Sequence, residues 1–356
     1  MLGVMVTLHE LGHFLTARAF GIHVQEFAIG MGPALYKRTS KKLDEEGNPM
    51  GATFSLRAFP IGGFCDMGED EDSDESTHFR NKPLWQRCIV LAGGSVMNLL
   101  LGIAVVFIML SLTLGRGIYS NEITGVMEDC PYINQIQAGD RVIEVDGHKV
   151  HDQQEVLMFM TRAAERPFDM VLLRGSEKIK LQGLELQLRD GDKRLLGIYM
   201  GGVDWVTWPY VFKATWRTTL SNVRLVWMGL ADLVTGRAKM TEMMGPVGMG
   251  AVVNDVVSDA AAADAPPSER ALLMAVSLLQ LMALITVNLA VFNMLPIPAL
   301  DGGRILLALF SALLVKIRKR PLSSKIEGAL HGGVMLLLFG LMIFVFFNDI
   351  RRLIGF

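Results

Sequence analysis

The sequence predicts an α-helical polytopic membrane protein with about four spans and an α+β module inserted outside the bilayer. Three observations carry that expectation. Of the 356 residues, 51% are apolar and only 20% charged, more apolar than a soluble domain and less than a wholly embedded one. The apolar residues gather into separated runs, and a long stretch of short alternating segments lies between the second and third of them. A net charge of −2 gives no nucleic-acid signal. Cys65, Cys88 and Cys130 are odd in number and form no C-x-x-C pair, which argues against a disulfide framework or a thiolate metal site.

The runs come in order. Leu2 to Phe20 is apolar but carries His9, Glu10 and His13, and lacks the basic flank of a cleavable signal peptide. Cys88 to Leu114 is free of charge and ample to cross ~30 Å of hydrocarbon. Leu272 to Leu295 is interrupted only by polar residues, Gln280, Asn288 and Asn293 among them. Gly332 to Phe347 is shorter, between His331 and Asn348-Asp349, and spans with modest thinning or help from its flanks. Tyr210 to Val234 contains Lys213, Arg217, Arg224 and Asp232, and a charge at mid-bilayer costs roughly 2.5–3.5 kcal/mol or more. That segment is expected as an amphipathic helix lying against the membrane or the module.

Orientation follows from the basic loops. Lys37, Arg38, Lys41, Lys42, Arg57, Arg80, Lys82 and Arg87 lie between the first two runs; Arg304, Lys316, Arg318, Lys319, Arg320 and Lys325 lie between the last two. The positive-inside rule places both loops in the cytoplasm and the module outside, in a multi-pass protein of the plasma membrane. The acidic run Glu69 to Glu75 reads as a solvated face, and His78 beside it as a solvated side chain. Within the module, "GDRVIEVDGHKV" alternates and turns at Asp146-Gly147, a hairpin signal. A helix around Asp152 to Arg166 and a strand at "FDMVLLRG" follow, and "SDAAAADAPPSER" reads as a mobile connection. His148 and His151 are expected to be exposed, and His331 to mark the boundary of the last span.

The chemistry centres on His9-Glu10-Leu11-Gly12-His13. Residues four apart share a helix face, so the two imidazoles converge on one point. Two neutral imidazoles suit Zn²⁺, and Glu10 stands where a general base for a hydrolytic water is needed. The bland alternative is a chance match with histidines that anchor the helix. It weakens inside an apolar run, where such groups are costly and usually functional. A third ligand is required, and Asp301 in "NMLPIPALDGG" is the candidate. Pro296 and Pro298 break the helix there, and Gly302-Gly303 permit close backbone approach. A helix cap at the membrane boundary is the other reading of Asp301. Asn293 is placed to hydrogen-bond a substrate carbonyl or support an oxyanion, while Asn288 is read as a helix–helix hydrogen bond.

These two motifs resemble the site-2 protease family of intramembrane zinc metalloproteases. "HELGHFLTARAFGI" is similar to the first family motif, implying His9 and His13 as zinc ligands and Glu10 as catalytic base. "NMLPIPALDGGR" is similar to the second, implying Asp301 as third ligand and Asn293, Pro296 and Pro298 in shaping the site and contacting substrate. "FSLRAFPIGGFCDMGED" resembles a loop that re-enters the membrane and pairs with extended substrate, which places Gly62 and Gly63 at the substrate. "AGGSVMN", "MGPVGMG" and "NDIRRL" also resemble bacterial members. "CPYINQIQAGDRVIEVDG" resembles a PDZ domain, one copy of it. The implied division is an N-terminal membrane part at 1–114, a PDZ-like module at 115–190, an amphipathic helix and linker at 191–270, and a C-terminal membrane part at 271–356. The family implies zinc-dependent cleavage of single-span membrane proteins such as anti-sigma factors or signal-peptide remnants. A catalytically idle PDZ-bearing scaffold is the competing function, and intact Glu10 argues against it. A metal transporter would need further carboxylates or histidines in the apolar runs.

Overall fold

A computed structural model describes residues 2–40, 51–68, 77–163, 166–189, 193–237, 245–319 and 324–354. The chain divides into two compact units, Met1–Val106 with Asn222–Phe356, and Phe107–Ser221.

The first unit opens with α1 (Leu2–Ala19), whose buried residues Met5, His9, Gly12, His13 and Ala17 form one stripe. Both imidazoles therefore lie on the face that packs, as the four-residue spacing requires. Strands β1 (Glu26–Thr39) and β2 (Thr53–Asp66) follow. Each folds back on itself. Glu26–Ile29 pairs in parallel with Thr53–Leu56 and antiparallel with Gly63–Asp66, while Tyr36–Thr39 runs antiparallel to Thr53–Leu56. The outcome is a small four-ribbon sheet with Gly63–Asp66 at one edge. The anticipated acidic run at Glu69 to Glu75 lies outside the described residues.

Helix α2 (Leu84–Leu112) crosses α1 at small residues: a Cβ on Gly12 would meet the Gly93 carbonyl oxygen at 2.2 Å. Small residues let apolar helices approach to backbone contact, where dispersion and packing replace a missing hydrophobic drive. Ala17, Ile22, Val24, Phe79, Val90 and Leu91 close a core beneath this crossing. His78 belongs to that region and is not solvated. It is buried, with Nε2 2.6 Å from the Gly68 carbonyl oxygen, while its Nδ1 accepts from the Arg80 amide at 3.3 Å.

Beyond the second unit come α4 (Trp208–Val234), α5 (Pro246–Ala262), α6 (Pro267–Asn293), α7 (Asp301–Arg318) and α8 (Ser324–Ile354), α4 beginning in the second unit. Val223, Val226 and Leu230 of α4 pack on Val287 and Val291 of α6. The alanine-rich segment expected as a mobile connection is helical through Ala262, leaving only 263–266 between α5 and α6. Alanine has the highest intrinsic helix propensity, and that outweighed the loop-like composition. Two motifs far apart in sequence meet here. The buried Asp349 carboxylate of α8 accepts from the amides of Gly245 (3.1 Å) and Gly248 (2.8 Å), capping α5 from another helix. Three helices among the described residues are long and apolar enough to cross a membrane: Leu84–Leu112, Pro267–Asn293 and Gly328–Arg351. The last exceeds the anticipated Gly332–Phe347 because His331 and Asn348-Asp349 continue the helix instead of ending it.

The second unit contains β3 (Gly117–Tyr119), β4 (Ile123–Val126), β5 (Arg141–Val145), β6 (His148–Lys149), α3 (Gln153–Arg162), β7 (Phe168–Arg174), β8 (Glu177–Leu184), β9 (Gln187–Arg189), β10 (Lys193–Leu195), β11 (Ile198–Met200) and β12 (Val203–Trp205). A four-stranded sheet runs β6-β5-β7-β8, and β4 pairs with β11, β3 with β12 and β9 with β10. The β5–β6 turn places Asp146 (φ 51°) and Gly147 (φ 77°) in the left-handed region, the conformation that makes Asp-Gly a hairpin signal. Helix α3 is capped by Asp152, whose side chain accepts from the Glu155 amide. Phe159, Phe168, Met170 and Leu172 fill the core.

Arg174 on β7 grips the buried Asp140 carboxylate twice, Nε to Oδ1 at 2.7 Å and Nη2 to Oδ2 at 2.8 Å, and the Gln137 amide donates to the same carboxylate. The Arg174 hydrogen bonds hold the Asp140 carboxyl below its ordinary range. A carboxyl with a depressed folded pKa stabilises the fold above its unfolded value of about 3.9, and this contribution disappears as pH falls through the folded value. Asp140→Asn is therefore expected to lower the unfolding midpoint by several degrees at pH 7, with the difference from wild type already narrower at pH 3, below the unfolded value of about 3.9. Paired melting curves at the two pH values check this; a constant gap would show that the ionised carboxylate is not what stabilises.

Candidate metal centre

Asp301 is the first residue of α7, at the end of a seven-residue turn that starts with Met294. Glycine at 302 and 303 is demanded by backbone: added Cβ atoms would stand 2.2 Å from the Met294 carbonyl oxygen and 2.0 Å from that of Ile297. The prolines Pro296 and Pro298 sit in this turn, end α6 and carry the carbonyls back against α7. The turn thereby places the Asp301 carboxylate against α1, about 290 residues away in sequence.

Three ligand atoms converge. His9 Nε2 and His13 Nε2 are 3.2 Å apart, and Asp301 Oδ2 lies 3.2 Å from the first and 3.4 Å from the second. Donors bound tetrahedrally at about 2.0–2.1 Å from zinc stand about 3.3 Å from one another, so the spacing fits that metal. The hydrogen bonding fits it too. His13 Nδ1 is 2.8 Å from the Val90 carbonyl oxygen, which can only accept, so Nδ1 carries the proton and Nε2 presents a lone pair. On His9, Nδ1 lies 3.2 Å from the buried Asn98 side-chain amide, whose Oδ1 otherwise has no partner. Turning that amide over lets Oδ1 accept from Nδ1–H and leaves His9 Nε2 as a second lone pair. Asp301 Oδ2 is buried and receives no hydrogen bond. Lone pairs crowded this closely in a buried pocket repel unless a cation sits among them. These residues are the group of His, Cys, Asp and Glu side chains that can hold a metal ion among the described residues.

Around this cluster the other expected residues take their places. Glu10 follows His9 on α1, and the edge ribbon of β2 lies against it: a Cβ on Gly63 would come 3.6 Å from Glu10 Cγ. Gly62 (φ 86°) precedes this point, where the ribbon turns into its edge segment. The Asn293 side-chain amide reaches His9, 3.3 Å from Nε2. Pro296 and Pro298 belong to the turn and have no hydrogen bond into the cluster.

Val90, Asn98 and Gly94 also belong to the centre, and sequence reasoning gave none of them a role there. Gly94 faces both imidazoles, since its Cβ would stand 2.4 Å from His13 Nε2 and 2.6 Å from His9 Cε1. A Gly-Gly-Ser run inside an uncharged span was the available signal, because such runs mark helix contacts.

Known proteins bear on what this centre does. Residues 1–341 match the profile of Peptidase family M50. A protein of Clostridium perfringens named as a candidate zinc metalloprotease is 34% identical over 350 residues, covering 97% of this chain and 95% of its own length. The regulator of sigma-W protease RasP of Bacillus subtilis is 26% identical over 440 residues, with 99% of this chain and 96% of its own length covered. The metalloprotease MmpA of Caulobacter vibrioides is 24% identical, covering 99% and 94%. With the profile spanning nearly the whole sequence and the apolar helices beside it, the chain belongs to Peptidase family M50, the site-2 proteases, and is a membrane metalloprotease.

Proposed function

We propose that this protein is an intramembrane zinc protease that cleaves single-span membrane proteins, with His9, His13 and Asp301 as zinc ligands and Glu10 as the catalytic base. The convergence of His9 Nε2, His13 Nε2 and Asp301 Oδ2 within 3.2–3.4 Å of one another carries the reading. Zinc, when bound there, supplies electrophilic polarisation of the scissile carbonyl and acidifies the hydrolytic water. Glu10 takes the proton of that water on its carboxylate and passes it to the leaving amine. Val90 and Asn98 fix the imidazole rings, a supporting layer that commonly governs metal affinity. Asn293 stands beside the cluster to steady the polarised carbonyl.

Substrate presentation follows from the same geometry. A transmembrane helix hides its carbonyls in its own hydrogen bonds and must be unwound before it can be cut. The edge ribbon Gly63–Asp66 pairs with Glu26–Ile29 on one side, and Gly63 lies close to the Glu10 side chain. A substrate segment added to this edge as a strand would bring its backbone to the base, with Gly62 and Gly63 leaving room for it. In this reading α1 is a fourth span, residues 115–190 are a PDZ-like module on the outer side, and the metal centre lies toward the cytoplasm, as the basic loops favour. The relative's name, a regulator of a sigma factor, supports anti-sigma factors as the substrate class, with signal-peptide remnants the other class that the family resemblance implies.

The direct test is the purified protein in detergent with a single-span model substrate. One zinc per chain and cleavage within the span are expected. A protein that holds no zinc and leaves the substrate whole would return the scaffold reading to first place.

A further inference from the structure

The turn that delivers Asp301 is bent hardest at Ala299. Its φ of 89° is left-handed, a conformation in which glycine is at ease and a Cβ is not. Little within the turn can hold it. Pro296 and Pro298 have no N–H to donate. The Ile297 and Leu300 amides bond locally, to the carbonyls of Leu295 at 2.7 Å and Ile297 at 3.0 Å. The Ala299 amide instead leaves the turn and donates to Nδ1 of His331 on α8, 2.9 Å away.

We propose that His331 is a positioning residue for the metal centre: by accepting from Ala299 it holds the strained turn and so sets where Asp301 Oδ2 meets His9 and His13. Three features support this. His331 lies within the candidate span Gly328–Arg351, where a titratable ring is costly and its presence calls for a use. That span is hardly buried, so packing alone does not place the ring. And the path from the hydrogen bond to the carboxylate is short and stiff. Ala299 stands two positions before Asp301, and Gly302 and Gly303 press α7 onto the carbonyls of the same turn. A shift at Ala299 is therefore passed to the carboxylate with little absorbed on the way.

The inference rests on the zinc reading above, and its test separates the two. Full-length protein would be prepared as wild type, His331→Phe, His331→Asn, Ala299→Gly, and Ala299→Gly combined with His331→Phe. Zinc retention against a graded chelator and the visible spectrum of the Co²⁺-substituted protein are the readouts. His331→Phe removes the acceptor and is expected to weaken zinc binding about 10- to 100-fold, the range seen when an outer partner of a ligand is lost. The cobalt bands should lose intensity as the third ligand drifts. His331→Asn keeps an oxygen near the position of Nδ1 and should stay close to wild type. Ala299→Gly should restore most of the loss in the double variant, because glycine adopts the turn unaided. Equal zinc retention in His331→Phe and wild type would overturn the proposal while leaving the metal centre intact. A loss shared by His331→Phe and His331→Asn and not relieved by Ala299→Gly would also overturn it, since neither an acceptor at the Nδ1 position nor the strain at Ala299 would then be what sets zinc binding. Should the phenylalanine variant fail to fold, His331→Asn and Ala299→Gly still decide it: zinc weakened in the first or in the second counts against the role. If wild type itself retains no zinc, the metal reading falls, and this proposal with it.

Discussion

Glu10→Gln is expected to keep one zinc per chain, melt like wild type and cleave a single-span substrate at least about 10³-fold more slowly, within the range that a positioned general base contributes. The expectation depends on separating holding the metal from moving the proton. Zinc is to be held by His9, His13 and Asp301, whose donor atoms form the cluster without Glu10. The Glu10 side chain instead lies by the edge ribbon, where a Cβ on Gly63 would come 3.6 Å from its Cγ. Glutamine keeps the size and shape of the side chain, so the ribbon should stay in register. What it lacks is a basic oxygen, and with it the site loses its proton acceptor and donor. Zinc stoichiometry and single-turnover cleavage together make the check. A variant that loses zinc with activity would make Glu10 a ligand or a structural prop. One that cleaves at the wild-type rate would remove the hydrolytic mechanism altogether.

The candidate metal centre was unusually open to sequence reasoning, and the reason is local geometry. His9 and His13 are four residues apart on one helix, so their convergence needs nothing but the helix. Asp301 demanded a longer inference, from a carboxylate placed where prolines break an apolar span and glycines allow close approach, and the Gly302 and Gly303 contacts bear out the packing half of it. The hairpin at Asp146-Gly147 was legible for the same local reason, its two left-handed residues being written in the dipeptide.

What escaped notice depends on contacts between elements. Neither Val90 nor Asn98 differs in type from residues that merely line helices; their partnership with the imidazoles exists only once α2 is set against α1 at Gly12 and Gly93. His331 looked like a boundary marker because its partner is a backbone amide thirty-two residues away, and a backbone amide has no sequence signature. The doubled pairing of β1 and β2 was hidden too, since alternation reports strands and not the order in which they pair. The two misreadings, His78 as solvated and the alanine-rich segment as mobile, both took composition nearby in sequence for environment in space.

Gly94→Ala is expected to empty the metal site and lower cleavage by about 10²-fold or more, the scale of loss that a displacement of about 1 Å produces in a catalytic site. One methyl group suffices because of where it would point. The added carbon would stand 2.4 Å from His13 Nε2, 2.6 Å from His9 Cε1 and 2.7 Å from His9 Nδ1, all closer than real contacts permit. Neither ring can simply swing aside. His13 is fastened through Nδ1 to Val90, which is on α2 itself, and His9 faces Asn98 on the same helix. Backing α2 away from α1 would relieve the methyl group but would drag both fastenings with it, and would open the Gly12–Gly93 crossing. Either response spoils the spacing of about 3.3 Å that three donors need around one zinc. Gly250→Ala, on α5 with open space where its Cβ would go, is the matched control and should bind zinc and cleave as wild type does. Zinc analysis of the two purified variants decides the matter. If Gly94→Ala holds its zinc as Gly250→Ala does, α2 is not the wall of the metal centre, and the close approach of these helices has some other purpose.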